Sequence, residues 1–152
     1  MPNYCENVVT IKHPDPLVIA GLVEAFNNGK FFQFVVPMDS DIDMDANSEN
    51  DSLPNWYNWR VDNWGTKWDI DPTDGNVMIE SPIEINLSFN TAWSPPLGVY
   101  AKLSEQGFTV DAKYHEYGMM FYGTFTNDEE TCSNYESFEE IPADIMEDLG
   151  IA

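Results

Sequence analysis

Ile83, Ile85, Leu87 and Phe89 are separated by single polar positions through residues 82–91. Side chains of a strand point to opposite faces in turn, so this spacing fits a strand with one buried and one wetted face and fits no helix. Directly after it, Ser94-Pro95-Pro96 predicts a helix start. Serine there can accept from orphan amides, and proline in the first turn gives up no needed N–H. That helix should turn Leu97, Tyr100, Ala101 and Leu103 inward and end at Gly107. Residues 108–117 and 119–126 then read as a hairpin through Gly118.

The first part of the chain has the same order. Residues 6–12 are rich in β-branched side chains and predict a strand. Pro14 and Pro16 precede Leu17, Ala20, Gly21, Val23, Glu24 and Phe26 at helical spacing, and Asn28-Gly29 stops that helix. The short apolar run at 32–36 is predicted as the returning strand. Two such units predict an α+β fold, a split β-α-β sandwich whose antiparallel sheet carries its helices on one face.

Between the units, residues 39–52 hold six acids and no base, so a solvated insert is expected. Residues 55–64, closed by Gly65, predict a short tryptophan-rich helix. Residues 67–71 and 76–81 are expected to be two short strands around the turn at 72–75. After residue 126 come nine acids and no base. Within that stretch Ile141, Ile145 and Leu149 recur every four residues, which predicts a terminal helix after Pro142. The expected division is one domain over 1–126, with the insert at 37–66, and an acidic extension over 127–152.

Twenty-seven Asp and Glu against six Lys and Arg give a formal net charge of −21. A compact chain of this length is roughly 40 Å across, and duplex DNA carries about 21 to 24 charges over that distance. The chain therefore rivals DNA of its own length in charge, which argues against direct binding to nucleic acid or to an anionic membrane. No run of about 18–20 apolar residues is present to cross a bilayer, and no leader-like start is evident, so the expected place is the cytoplasm. Cys5 and Cys132 are expected to stay reduced there.

Catalytic and metal-binding patterns are missing or fail. Asp39, Asp41, Asp43 and Asp45 alternate as calcium ligands do, but the sixth and twelfth loop positions carry neither glycine nor glutamate in either register. His13 and His115 have no cysteine or second histidine at zinc spacing. No nucleophile elbow, phosphate loop or dinucleotide fingerprint is present. No cofactor, no metal and no enzymatic activity are expected.

Several segments resemble the YubB-like family of plasmid and phage proteins with a ferredoxin-like domain. They are Pro2-Asn3-Tyr4-Cys5-Glu6-Asn7, Trp56-Tyr57 with Trp64-Gly65-Thr66-Lys67-Trp68-Asp69, Phe89-Asn90-Thr91-Ala92-Trp93-Ser94-Pro95-Pro96, and Tyr114 with Glu116, Gly118, Phe121 and Gly123. The likeness spans residues 2–126 and implies a ferredoxin-like sandwich and a mobile-element setting inside a bacterial host. It implies no iron–sulfur cluster, since two distant cysteines cannot hold one.

Two functional readings follow, beside a third in which the chain is a bare scaffold and its acidity serves only solubility. In the first, carboxylates stand in for phosphates and occupy the cationic surface of a basic, nucleic-acid-binding host protein of defence or transcription. The residues expected to make that contact are Asp39, Asp41, Asp43, Asp45, Glu49, Asp51, Asp128, Glu129, Glu130, Glu139, Glu140, Glu147 and Asp148. In the second, a small nucleotide-like ligand sits against Trp56, Trp59, Trp64, Trp68, Trp93, Tyr114 and Glu116. A plain satellite core for the tryptophans stands beside that reading.

Overall fold

A computed structural model of the chain describes residues 3–39, 41–42 and 55–151. Six strands form one antiparallel sheet in the order β2-β3-β1-β4-β5-β6. The strands are β1 (Tyr4–Lys12), β2 (Asn76–Ser81), β3 (Glu84–Ala92), β4 (Thr109–Glu116), β5 (Phe121–Thr126) and β6 (Glu129–Asn134). The helices are α1 (Pro16–Asn27), α2 (Phe31–Val35), α3 (Trp56–Asn63), α4 (Leu97–Glu105) and α5 (Ala143–Leu149). The part β2-β3-β1-β4 is the split β-α-β sandwich, and β5 and β6 extend it.

Alternation places the core. Cys5, Asn7, Val9 and Ile11 of β1 are buried on the helix-covered front, while Glu6, Val8 and Thr10 face the back and are half-buried. On the front, Val9, Ile11, Ile85, Leu87, Phe89, Val110 and Ala112 pack with Ile19, Leu22, Phe26, Phe31, Phe32, Trp64, Val99, Tyr100 and Leu103. The helix α1 begins where expected, with the Asp15 carboxylate accepting from Leu17 N at 2.9 Å, and Gly29 ends it at φ 71°.

Four local expectations are corrected. Residues 32–36 are not a strand: Phe31–Val35 is the helix α2. Its first turn is held by Asp69, which accepts from Phe32 N at 2.8 Å and from Gln33 N at 3.0 Å. A partner 37 residues away decides the matter, and a five-residue apolar run cannot display it. Residues 67–71 are likewise not a strand, because Asp69 is turned inward to that cap. Ser94 does not cap α4. Its hydroxyl donates to the Gly65 carbonyl at 2.5 Å, and Val99 rather than Ala101 enters the core. Finally β6 was not expected at all. Asn127 and Asp128, at φ 48° and 73°, make the tight turn that returns the chain along β5.

The back face is covered differently. Lys113 of β4 points away from the core and bonds the α5 carboxylates of Asp148 and Asp144, the latter at 3.8 Å. Here Tyr135, Ile141 and Ile145 form a small cluster of their own with Tyr122, Met146 and Leu149. Residues 129–134 are therefore part of the sheet, and 143–149 pack against it. No helix among the described residues is long and apolar enough to cross a membrane.

Candidate functional site

The segments that stand out in the sequence meet at one end of the sheet and lock each other. Thr66 Oγ1 donates to the Ala92 carbonyl at 2.9 Å and accepts from Ala92 N at 3.1 Å. Gly65, at φ 95°, lets the chain pass where a Cβ would come within 2.8 Å of the Pro95 carbonyl. Tyr100 Oη donates to Asn7 Oδ1, Asn7 Nδ2 donates to Thr91 Oγ1, and Thr91 Oγ1 donates to the Ser94 carbonyl, at 2.9, 3.0 and 2.7 Å. Each buried polar group in that series has a partner, as burial requires.

The tryptophans divide between two roles. Trp64 is 1% exposed, packs against Phe32 and Trp59, and donates its indole N–H to the Val36 carbonyl at 2.9 Å. Trp56 and Trp59 are half-buried on α3, and the Arg60 guanidinium lies 5.1 and 4.8 Å from the Trp56 and Trp64 rings. Trp68 and Trp93 are 43% and 42% exposed, with the Lys67 ammonium 4.2 and 4.1 Å from their rings. Burial beside Trp56 and Trp64 pulls the Arg60 guanidinium below its usual pKa, against the opposing charge of Asp69.

The expected aromatic pocket does not assemble. A cavity of about 390 Å³ does open beside Trp68, but its other walls include Tyr4, Asp69, Asp71, Asp74 and Asn90. Trp56, Trp59, Trp64, Trp93, Tyr114 and Glu116 take no part in it. Tyr114 is buried, and its hydroxyl donates to the Thr131 carbonyl at 2.9 Å. Glu116, fully buried, accepts from the backbone N–H groups of Gly118 and Met119 and so closes its own turn. Burial pushes the thiol of its cross-strand neighbour Cys5 well up. Cys5 and Cys132 are both free thiols.

Of the acids expected at a partner, Asp39 and Asp41 are exposed. Asp43, Asp45, Glu49 and Asp51 lie outside the described residues. Asp128, Glu129, Glu130, Glu139, Glu140, Glu147 and Asp148 are all exposed, as are Glu136 and Asp144. They are spread over the β5–β6 turn, the edge strand β6, the turn at Phe138–Glu140 and α5. Glu140 accepts from Glu136 N and Ser137 N, which holds its carboxyl below the usual range. The hydrogen bond from Lys113 to Asp148 raises the lysine pKa and draws α5 onto the sheet. Among the described residues no group of three or more His, Cys, Asp or Glu side chains could hold a metal ion.

A family model described as the ferredoxin-like domain in Api92-like protein matches residues 64–148. The chain belongs to this family. The match begins at Trp64 and runs through β6 and most of α5, beyond residue 126, where the resemblance to YubB-like proteins ends. The crystal structure of the protein api92 from Yersinia pseudotuberculosis is similar, with a TM-score of 0.54 at 8% identity. That likeness covers 90% of this chain and 99% of that one, and at such low identity it speaks for the fold alone. No curated protein matches the sequence.

Proposed function

We propose that this Api92-like chain is a non-enzymatic binding protein that occupies the cationic, nucleic-acid-binding surface of a bacterial host protein of defence or transcription. One observation carries the reading. All nine acids of the segment after residue 126 are exposed, and among the described residues Lys113 alone pairs with any of them. Four of the other five cations are engaged elsewhere, and the fifth, Lys30, lies between α1 and α2, away from these acids. Lys12 and Lys102 pair with Glu84 and Glu105, and Arg60 and Lys67 stack on tryptophans. The negative charge is thus left uncompensated where α5 and β6 present it, and a field of that kind steers a basic partner. The resemblance to YubB-like plasmid and phage proteins supports a mobile-element setting in the host cytoplasm. A nucleotide-like ligand is disfavoured, because aspartates line the cavity beside Trp68 and would repel phosphate.

Affinity capture from host lysate, followed by competition with duplex DNA, tests the proposal. The expected partner is basic, is displaced by DNA, and is released between about 0.1 M and 1 M salt, as the Debye length falls from ~10 to ~3 Å. Reversing Glu129, Glu130, Glu139 and Glu147 to lysine should slow association while leaving the fold intact, since all four are exposed. A partner retained at high salt, or one bound as fast by the reversed chain, would sink the reading.

A further inference from the structure

We infer that the part of the sheet's back face that the described residues leave uncovered, beside α5, is the seat of a cationic amphipathic helix of the partner. This rests on the reading that the partner is basic, and it adds where and in what form that partner is held.

The strand register builds the seat. One row across β2, β3, β1 and β4 is Asn76, Ser88, Val8 and Lys113; the next is Met78, Asn86, Thr10 and Asp111. A cavity of about 390 Å³ lies over these two rows, with Asp148 of α5 at its flank. A smaller one of about 200 Å³ continues it past Val8 and Ser88 towards Glu6, Asp74 and Leu149. The floor is partly apolar, through Val8, Leu149 and Met78, which is 54% exposed.

Size and charge select the occupant. The strands β2, β3 and β1 span two inter-strand spacings, about 10 Å, the width of one helix. From Thr10 to Glu6 the floor runs about 13 Å along β1, which is about nine helical residues. The protein already seats one helix on this face: α5 is placed there by Ile145 and Leu149, four residues apart. A helix beside it would complete the layer that α5 begins. Asp111, Asp148, Asp74 and Glu6 border the trough, and its one cation, Lys113, is held by Asp144 and Asp148. A second copy of this chain, itself at −21, has the wrong charge for such a rim. An apolar stripe flanked by Lys or Arg has the right one.

Two synthetic peptides of identical Lys/Leu composition test this against the full chain at about 0.15 M salt. One carries leucine at helical spacing, and the other has the same residues scrambled. The patterned peptide should bind about tenfold tighter. Met78→Arg, on an exposed edge-strand position, should abolish that preference without lowering the melting temperature. Val8→Arg should do the same if its melting shows the fold retained. Equal binding of both peptides, binding of neither, or a preference that survives Met78→Arg overturns the inference. Equal but salt-sensitive binding would do so while leaving the charge reading in place. If the charge reading alone fails, salt will release neither the captured partner nor the patterned peptide, yet Met78→Arg will still abolish the pattern preference.

Discussion

The two faces of one sheet are built to different standards. On the front, alternate residues of β1, β3 and β4 meet four helices in one continuous core that includes Phe26, Phe32, Trp64 and Tyr100. On the back, Tyr135, Ile141 and Ile145 make a separate small cluster under a seven-residue helix rich in acids. The front carries the polar series from Tyr100 to Ser94, with every member bonded. Each face also holds one buried polar atom without a hydrogen-bond partner among the described residues, Arg60 Nε on the front and Nδ1 of the fully buried His115 ring on the back. Apolar burial at about 25 cal/mol per Å² favours the front by a wide margin. The uncompensated charge therefore resides where the fold has least to lose, and the surface proposed for a partner is the less firmly held one.

The largest expected effect separates the faces by stability. Trp64→Ala removes a 1%-exposed indole, its bond to Val36 and its contact with Phe32, and should cost roughly 3–5 kcal/mol. Ile145→Ala empties a site in the small back cluster, where α5 can settle. It should fall near the low end of the roughly 2–5 kcal/mol seen for such truncations. Denaturant melts of both variants read the difference. Equal losses would mean that the two faces fold with the same firmness, and the comparison would fail.

A second difference is in pH. His115 lies among Tyr117, Tyr135 and Phe138, with Nε2 and Tyr135 Oη 2.5 Å apart. Glu6 stands opposite it on β1 and Tyr122 on β5, while Glu116 follows it on the other face. Burial lowers the His115 pKa, against the opposing charge of Glu116. The unfolded chain therefore binds the proton at higher pH than the fold does. Stability from this group is present above about pH 6.5 and is lost as pH falls below it, at no more than about 1.4 kcal/mol per pH unit. Melting between pH 7 and pH 5 should show that slope in the parent and a shallower one in His115→Phe. Identical slopes would mean that the back cluster tolerates the charge.

The sequence carried the front far better than the back, and for a physical reason. A buried face declares itself by period: Ile85, Leu87 and Phe89 marked β3, although Ile83, expected on the same face, is exposed in the turn before it, and Pro16 with Asn28-Gly29 framed α1. The reading failed where a distant polar group decides, as Asp69 does for α2 and Gly65 for Ser94. It failed also for β6, whose six residues are all exposed, so no alternation could mark them. The Asn127-Asp128 turn was the one local sign. The acids of the candidate site were visible as charge from the start. The trough was not, because Val8, Ser88, Met78 and Asp111 come from four strands and only the register brings them into neighbouring rows.

The smallest expected effect tests how α5 is fastened. The helix has Asp144 in its first turn, where a negative charge suits the dipole, but it has no base in its last turn to offset Glu147 and Asp148. Lys113 supplies that charge from the sheet. Its side chain is 21% exposed, against 71% and 50% for Asp144 and Asp148. Pairs so open to water are worth at most about 1 kcal/mol. The contribution of Lys113 is present below its ordinary pKa, near 10.5, and is lost as pH rises through the raised folded value. A double-mutant cycle of Lys113→Met with Asp148→Asn should give a coupling of about 0.5–1 kcal/mol at low salt, shrinking as salt is added. A coupling above about 2 kcal/mol that ignores salt would mark a desolvated pair. The back face would then be clamped rather than loosely held, and a partner helix would meet a rigid wall where an adaptable one is expected.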